Sequence, residues 1–491
     1  MKNRIVSIIL ILFLIFAGLG APAAAADKKG ENWQDESIYY IMVDRFNNGD
    51  TANDFTMDSK NPLAYHGGDF KGVSLQLDYI KDMGFTTIAL SPIFENQENG
   101  YHGYWINDFY KTEEHFGTQK EFKSLVKEAH KRNLKVMVEL PATAVGTNHP
   151  WVNEADKQAW FGVADTTANG LKKLNLEHNQ VQEYIIEVAQ WWLTETGIDG
   201  YMLNEVQNMP SKFLNDFSKE IKLSHPNAFL LANGANSNKP EMDGFFDYQG
   251  NQVLRKGFAK PDSSLEEIVP IIEKNQQLIE SEQVVGNFLD NLQMNRYTHD
   301  AVVNNLHPGS RWKLALTYLY TVPGVPIVYY GSEIALEGNE NDHKQMDFRT
   351  DQELVEYITT IGELRNQIPA LTKGTFEPLY AEGGMIVYKR EFEGETVIIA
   401  INNTSKTQSV EIDADKIAKD MELRGLIMDD QSKEKDGKYK LIVDRDEAEI
   451  YMVTEKSGLN IPYIVVMGIV YLLFTLFIIL LLKRRKRKAT E

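Results

Sequence analysis

Apolar runs of four to six residues recur along the first two thirds of the chain, separated by longer stretches with helical spacing. IYYIMV (Ile38 to Val43), TIALSP (Thr87 to Pro92), KVMVELP (Lys135 to Pro141) and DGYMLN (Asp199 to Asn204) are the first four. FLLAN (Phe229 to Asn233), VVGNFLDN (Val284 to Asn291) and VPIVYYGSE (Val325 to Glu333) follow, with another strand expected between Gly244 and Gly250. Near-continuous apolar strands suit a parallel sheet buried on both faces. Between them, Thr118 to Asn133 opens with a Thr118/Glu121 capping box and sets Phe122, Leu125, Val126 and Ala129 on one helical face. Asn179 to Thr196 is a second helix. Eight such units close into a (β/α)8 barrel.

After about Leu371 the rhythm shortens. MIVYKREF, ETVIIAINN, SVEIDA, YKLIVD and AEIYMVT alternate apolar and polar residues between Gly-rich or charged turns. This pattern predicts an antiparallel β domain over residues 372–455, following a barrel over 27–371.

The two ends carry different signals. Lys2 and Arg4, the apolar run Ile5 to Gly20 and small residues up to Ala26 have the layout of a signal peptide over residues 1–26. Ile461 to Leu482 is uncharged and long enough for a transmembrane helix, joined to the β domain by a stem at 456–460. The basic tail 483–491 begins KRRKRK, and such a run marks the cytoplasmic side of a span. The expected location is therefore the cell membrane, single-pass, with the large domain outside and the C-terminus in the cytoplasm.

Charge and composition narrow the chemistry. The whole chain carries −19; without Lys2, Arg4, the six tail cations and Glu491, the expected external part carries −26. A surface that acidic repels nucleic acid, which is excluded as a partner. There is no cysteine, so disulfides, thiolate metal sites and cysteine nucleophiles are excluded as well.

Six segments then lie in a telling order: IYYIMVDRFNNGD, YHGGDFKGVSLQLDYIKDMGFTTIALSPIFEN, GYHGYWINDFY, HFGTQKEFKSLVKEAHKRNLKVMVEL, FLDN and PGVPIVYYGSE. Together, from about Ile38 to Phe348, they resemble the α-amylase family of glycoside hydrolases. The resemblance implies a short inserted domain after strand three, here 144–171, and KKLN (Lys172 to Asn175) is similar to a region of the neopullulanase and cyclomaltodextrinase branch. It also implies cleavage of α-glucosidic bonds with retention, by an attacking carboxylate and a proton-donating carboxyl roughly 5 to 5.5 Å apart. A third carboxylate assists them.

All three implied carboxylate positions hold amides. The nucleophile position is Asn204, the acid/base position Asn233 and the third Gln293. The family's Arg and His around the nucleophile become Met202 and Asn208, and its His before the third carboxylate becomes Leu292. An amide neither titrates as an acid nor attacks readily, and proton transfer alone contributes about 10²- to 10⁴-fold. Glu139 stands where strand three of the family carries a non-catalytic Asp. Glu205 adjoins Asn204, but strand alternation would turn it to the other face.

By the same resemblance, His102, Tyr104 and Trp105 form an aromatic wall beside the cleavage subsite, and Asn291 and Arg296 can reach a sugar. Asn48, Asp50, Asn53, Asp54, Asp69 and the Gly67 carbonyl offer six oxygens for a structural Ca2+, which takes 6 to 8. Three functions stay open: an inactive amylase-fold protein binding α-glucan, an active hydrolase or transferase using displaced groups, and a scaffold for an envelope protein partner. Animal amino-acid transporter heavy chains resemble the first arrangement, a spanning helix on a degenerate amylase-type domain.

Overall fold

The computed structural model describes residues 32–162, 171–235, 238–339, 342–349, 352–456 and 461–488. The expected signal peptide lies outside them, as do 163–170 of the inserted domain, 457–460 of the stem and 489–491 of the tail. Gln34–Glu491 forms a compact unit by itself.

Eight parallel strands close the barrel: β1 (Ile38–Ile41), β2 (Thr87–Leu90), β3 (Lys135–Leu140), β4 (Gly200–Leu203), β5 (Phe229–Ala232), β6 (Gly244–Phe246), β7 (Val284–Phe288) and β8 (Val325–Tyr329). Each pairs with its sequence neighbours, and β1 closes against β8 through Ile38↔Ile327. All eight are buried along their whole length apart from Lys135, which explains why the sequence shows apolar runs rather than alternation. β4 must open on glycine, because a Cβ on Gly200 would stand 2.1 Å from the Phe229 carbonyl oxygen.

The connecting helices are α1 (Phe70–Leu75), α2 (Leu77–Asp82), α3 (Gln119–Lys131), α4 (Asn179–Thr196), α5 (Ser211–Ser224), α6 (Tyr248–Phe258), α7 (Ile268–Glu280), α8 (Pro308–Thr321) and α9 (Glu353–Gln367), followed by the short α10 (Pro369–Lys373). The α3 capping box forms as expected: Glu121 N–H donates to Thr118 Oγ1 and Thr118 N–H to Glu121 Oε2 at 2.7 Å. Phe122, Leu125, Val126 and Ala129 are its buried face. After β3, Ala144–Val145 pairs antiparallel with Lys172–Lys173 at the base of the short insertion.

The C-terminal domain is a six-stranded antiparallel sheet, in the order β9 (Thr375–Glu382), β10 (Met385–Phe392), β11 (Glu395–Asn402), β16 (Glu447–Glu455), β13 (Met421–Gly425), β14 (Gln431–Lys433). A separate ladder joins β12 (Gln408–Asp413) to β15 (Lys438–Val443). Val387, Ile398, Ala400, Leu423, Leu441 and Tyr451 lie in the core between them. The hydrophobic pattern does not reveal β9, β13 or β14. β9 is an edge strand with Pro378 and a register shift beside it, and most of its side chains face solvent; Pro is confined to such edges and bulges.

The sheet docks on α8. Arg390, fully buried, donates to the Thr321 carbonyl and to that of Gly374, and Arg311 donates to Asn403 Oδ1 while pairing with Asp446. Finally, α11 (Ile461–Lys488) contains Val465–Leu482, a stretch with no buried residue that is long and apolar enough to cross a bilayer.

Candidate functional site

The mouth lies at the C-terminal ends of the barrel strands, where barrel enzymes place their chemistry. The expected strands ran to Asn204, Asn233 and Asn291; the observed ones stop at Leu203, Ala232 and Phe288. At this rim the chain leaves the ladder, so polar side chains bond to neighbouring loops instead. Asn204 is 4 % exposed and its Oδ1 accepts the N–H of Glu205 at 2.9 Å.

Glu205 is where strand reasoning fails. Alternation turns consecutive side chains apart only while the chain is extended, and Glu205 is left-handed, with φ 56°. Its carboxylate therefore reaches the loop after β3, where Thr143 Oγ1 donates to it at 2.9 Å.

Asn233 is almost fully buried. Its Oδ1 accepts the Tyr248 hydroxyl at 2.8 Å, and that hydroxyl accepts Asn291 Nδ2 at 3.0 Å. Asn291 Oδ1 in turn accepts the Gln293 N–H at 2.9 Å, while the Gln293 side chain is exposed. A tyrosine thus ties the β5 and β7 ends together. The sequence reading missed Tyr248, although its place directly after β6, at the first turn of α6 behind the N-cap Asp247, marks it as a mouth residue.

Met202 occupies the centre. In the barrel register Glu139 pairs with Met202 and Met202 with Leu231, and the Met202 sulfur lies 4.0 Å from Asn233 Nδ2. Glu139 therefore has the Met202 thioether beside it on β4. Its carboxyl is fully buried and accepts the hydroxyls of Tyr40 and of Tyr104, the latter at 2.7 Å. Burial drives its pKa up to about 7, against the lowering pull of the two tyrosines and with a further rise from Glu205. The hydrogen bonds that Glu139 accepts come from neutral phenol hydroxyls.

His102, Tyr104 and Trp105, expected as an aromatic wall, are neighbours in the structure. His102 meets Trp105 edge-on with centroids 4.9 Å apart, lies 5.6 Å from Tyr104, and its Nδ1 accepts the Tyr104 N–H at 3.0 Å. Burial, then the Arg45 guanidinium, lowers the His102 pKa to about 4, so its ring is neutral at pH 7. Arg296 lies deeper than the wall. Its Nη1 donates to the Tyr330 carbonyl at 2.6 Å and its guanidinium sits 4.1 Å over the Tyr329 ring, with Nη2 buried and unpartnered.

The expected calcium ligands are near one another but mostly engaged. The Asp69 carboxylate accepts the N–H groups of Gly49, Asp50 and Gly72 at 3.0, 2.8 and 2.5 Å. Asp50 pairs with Lys71 at 3.3 Å, and Asn48 Nδ2 donates to both oxygens of Asp54. Gly67, at φ 85°, is pressed by this pair: a Cβ would lie 2.6 Å from Asn48 Nδ2 and 2.7 Å from Asp54 Oδ1. Asn53 Oδ1 is buried without a partner. Among the described residues no three His, Asp or Glu side chains converge as a metal cage.

Comparison with known proteins bears on this geometry. Residues 40–168 match the alpha amylase catalytic domain and residues 374–451 the alpha-amylase C-terminal domain. The chain is similar to the crystal structure of an Anoxybacillus alpha-amylase at 46 % identity and TM-score 0.85, covering 88 % of this chain and 100 % of that one. Similarity to the Geobacillus thermoleovorans alpha-amylase complexed with acarbose is 43 %, with TM-score 0.82, over 87 % of this chain and 100 % of that one. It is also 30 % identical over 77 % of its length to the Beta/alpha-amylase of Paenibacillus polymyxa, but spans only 34 % of that protein. With two relatives matched end to end at such identity, on the same barrel and C-terminal sheet, the chain belongs to the α-amylase family of glycoside hydrolases.

Proposed function

We propose that this protein is a catalytically inactive member of the family, held at the outer face of a cell membrane, that binds α-glucan through the barrel mouth. The observation that carries the reading is that the amides read at the acid positions are already engaged: Asn233 Oδ1 accepts the Tyr248 hydroxyl, which also accepts Asn291 Nδ2, and Asn204 Oδ1 accepts the Glu205 N–H. No group among these can attack an anomeric carbon or deliver a proton at neutral pH. The acarbose bound by the 43 %-identical relative supports an oligosaccharide as ligand, and the His102, Tyr104 and Trp105 wall offers the rings on which apolar sugar faces pack. Anchoring rests on Val465–Leu482 and on the basic run after it.

The test is the purified full chain in detergent, titrated calorimetrically with maltooligosaccharides and assayed with α-glucosyl fluoride. Binding without turnover is expected, with Tyr104→Ala abolishing the binding. Wild-type turnover that survives removal of contaminating enzyme sinks the inactive reading. Failure of any maltooligosaccharide to bind at millimolar concentration favours a protein partner instead.

One observation favours the second reading, an active enzyme with displaced groups. Glu205, at the mouth, is charge-coupled to Glu139, whose carboxyl is held near neutrality. In that case Glu205→Gln eliminates whatever turnover the wild type has. A structural Ca2+ is a separate proposal, supported by the unpartnered Asn53 oxygen beside Asp54. It requires the Asn48 amide to present its oxygen instead of its nitrogen, with the Gly67 carbonyl as a further ligand. A melting temperature unchanged between excess Ca2+ and EDTA argues against it.

A further inference from the structure

Resting on the membrane-anchored reading, we infer that the closed end of the barrel and the adjacent rim of the C-terminal sheet face the lipid bilayer, so that the mouth opens away from it.

α8 leads into β8, so its last residue, Thr321, lies at the closed end of the barrel, opposite the mouth. Arg390 on β10 bonds to the Thr321 carbonyl and to Gly374, and Glu395 at the start of β11 accepts the N–H of Ala370, so this edge of the sheet shares that level. The other end of β11 is Asn402; the next residue, Asn403, is bonded by Arg311 in the first turn of α8. Ten residues of helix separate Arg311 from Thr321, a rise of about 15 Å. β16 is antiparallel to β11, pairing Asn402 with Glu447 and Val397 with Met452. It therefore runs from the Arg311 level toward the closed end and finishes there at Glu455.

The apolar helix begins at Ile461, six Cα steps after Glu455, and that chain spans at most about 20 Å. A tether so short, leaving from the closed end, holds that end at the membrane surface. The rim near it consists of the start of β9, the Met421 end of β13 and α10. Four of its lysines are neutralised locally: Lys373 pairs with Asp35, Lys389 with Glu377, Lys419 with Asp415 and Lys456 with Asp420. The bilayer is thus met because of tether geometry, not attraction to anionic headgroups. The mouth receives solutes and hydrated polymers from the side remote from the membrane.

The absence of cysteine makes single-cysteine labelling clean. Glu98, exposed in the loop after β2 at the mouth, and Thr375, exposed at the start of β9, would each be replaced by Cys in the full chain. Each variant, carrying a maleimide donor dye, is reconstituted into neutral phosphatidylcholine vesicles with a headgroup acceptor dye. Energy transfer is expected to be several-fold stronger from position 375 than from position 98, and unchanged by raised salt. Equal or reversed efficiencies in protein that floats with the vesicles overturn the orientation while leaving the anchor intact. Protein that does not float overturns the anchor, and the orientation with it.

Discussion

The Tyr248 hydroxyl donates to Asn233 Oδ1 at 2.8 Å and accepts from Asn291 Nδ2 at 3.0 Å, so one phenol joins two positions where the family carries polar machinery. Both amides are buried, and each depends on this hydroxyl for the bond it makes there. Tyr248→Phe is expected to leave Asn233 Oδ1 and Asn291 Nδ2 without this partner, at about 1–3 kcal/mol. Thermal unfolding should register a drop of a few degrees. An unchanged melting temperature would mean that water replaces the hydroxyl and that the pocket is wetter than its burial implies.

Restoring chemistry requires restoring charge balance. Asn204→Asp alone places a carboxylate at a 4 %-exposed position beside Met202, with no cation in its barrel register. It should destabilise the fold by several kcal/mol, or about 3–5 if the charge stays uncompensated. Met202→Arg added to it should recover much of that loss, because the guanidinium would lie next to both the introduced carboxylate and Glu139. Measurable α-glucosyl fluoride hydrolysis is expected only when Asn233→Glu and Gln293→Asp are added to that pair. Equal stability with and without Met202→Arg would refute the proposed role of the missing guanidinium.

Glu139 makes stability depend on pH. Its folded pKa is about 7, against roughly 4.3 in an unfolded chain. The folded state holds the proton more tightly, so this contribution is complete below the unfolded value and is lost as pH rises through 7. The span is on the order of 4 kcal/mol at 1.36 kcal/mol per unit. Asp44, also raised to about 7 by burial despite Arg45, slopes the same way. The informative quantity is therefore the difference between wild type and Glu139→Gln in denaturant unfolding at pH 5 and pH 8. The variant should lose part of the slope; parallel curves would show that Glu139 is not the titrating group.

Arg311 joins barrel and sheet through Asn403 and Asp446, with its own side chain buried and Asp446 only partly so. Arg311→Ala is expected to cost about 3 kcal/mol, the low end for breaking a buried pair, because water already screens the acid. The loss should appear as earlier unfolding of the C-terminal sheet, read by limited proteolysis. Retained protease resistance of residues 375–455 would contradict it.

Local pattern was enough where burial acts on whole segments. The eight barrel strands, the α3 capping box and the helix Asn179–Thr196 were all legible, because each buries a continuous face and the sequence has to supply it. β9, β13 and β14 were not: β9 and β14 are edge strands with few buried side chains, and β13, though interior, is five residues long and carries Glu422 and Arg424 between its apolar positions. At the mouth, Asn204, Asn233, Asn291 and Gln293 were singled out by the motifs around them that resemble the family's. Tyr248 sits in no such motif, and the reach of Glu205 depends on one left-handed residue.

The sequence by itself determined the barrel, the C-terminal sheet, the apolar helix near the C-terminus and the amide side chains at Asn204, Asn233 and Gln293. Residue type and spacing are sufficient for these, since backbone burial and side-chain chemistry are local properties. Only the tertiary structure decided that the amides bond to one another through Tyr248, that Met202 faces Glu139, and that β16 ends at the closed side of the barrel. Those relations join residues from different strands, and strand register and direction, which no single segment encodes, bring them together.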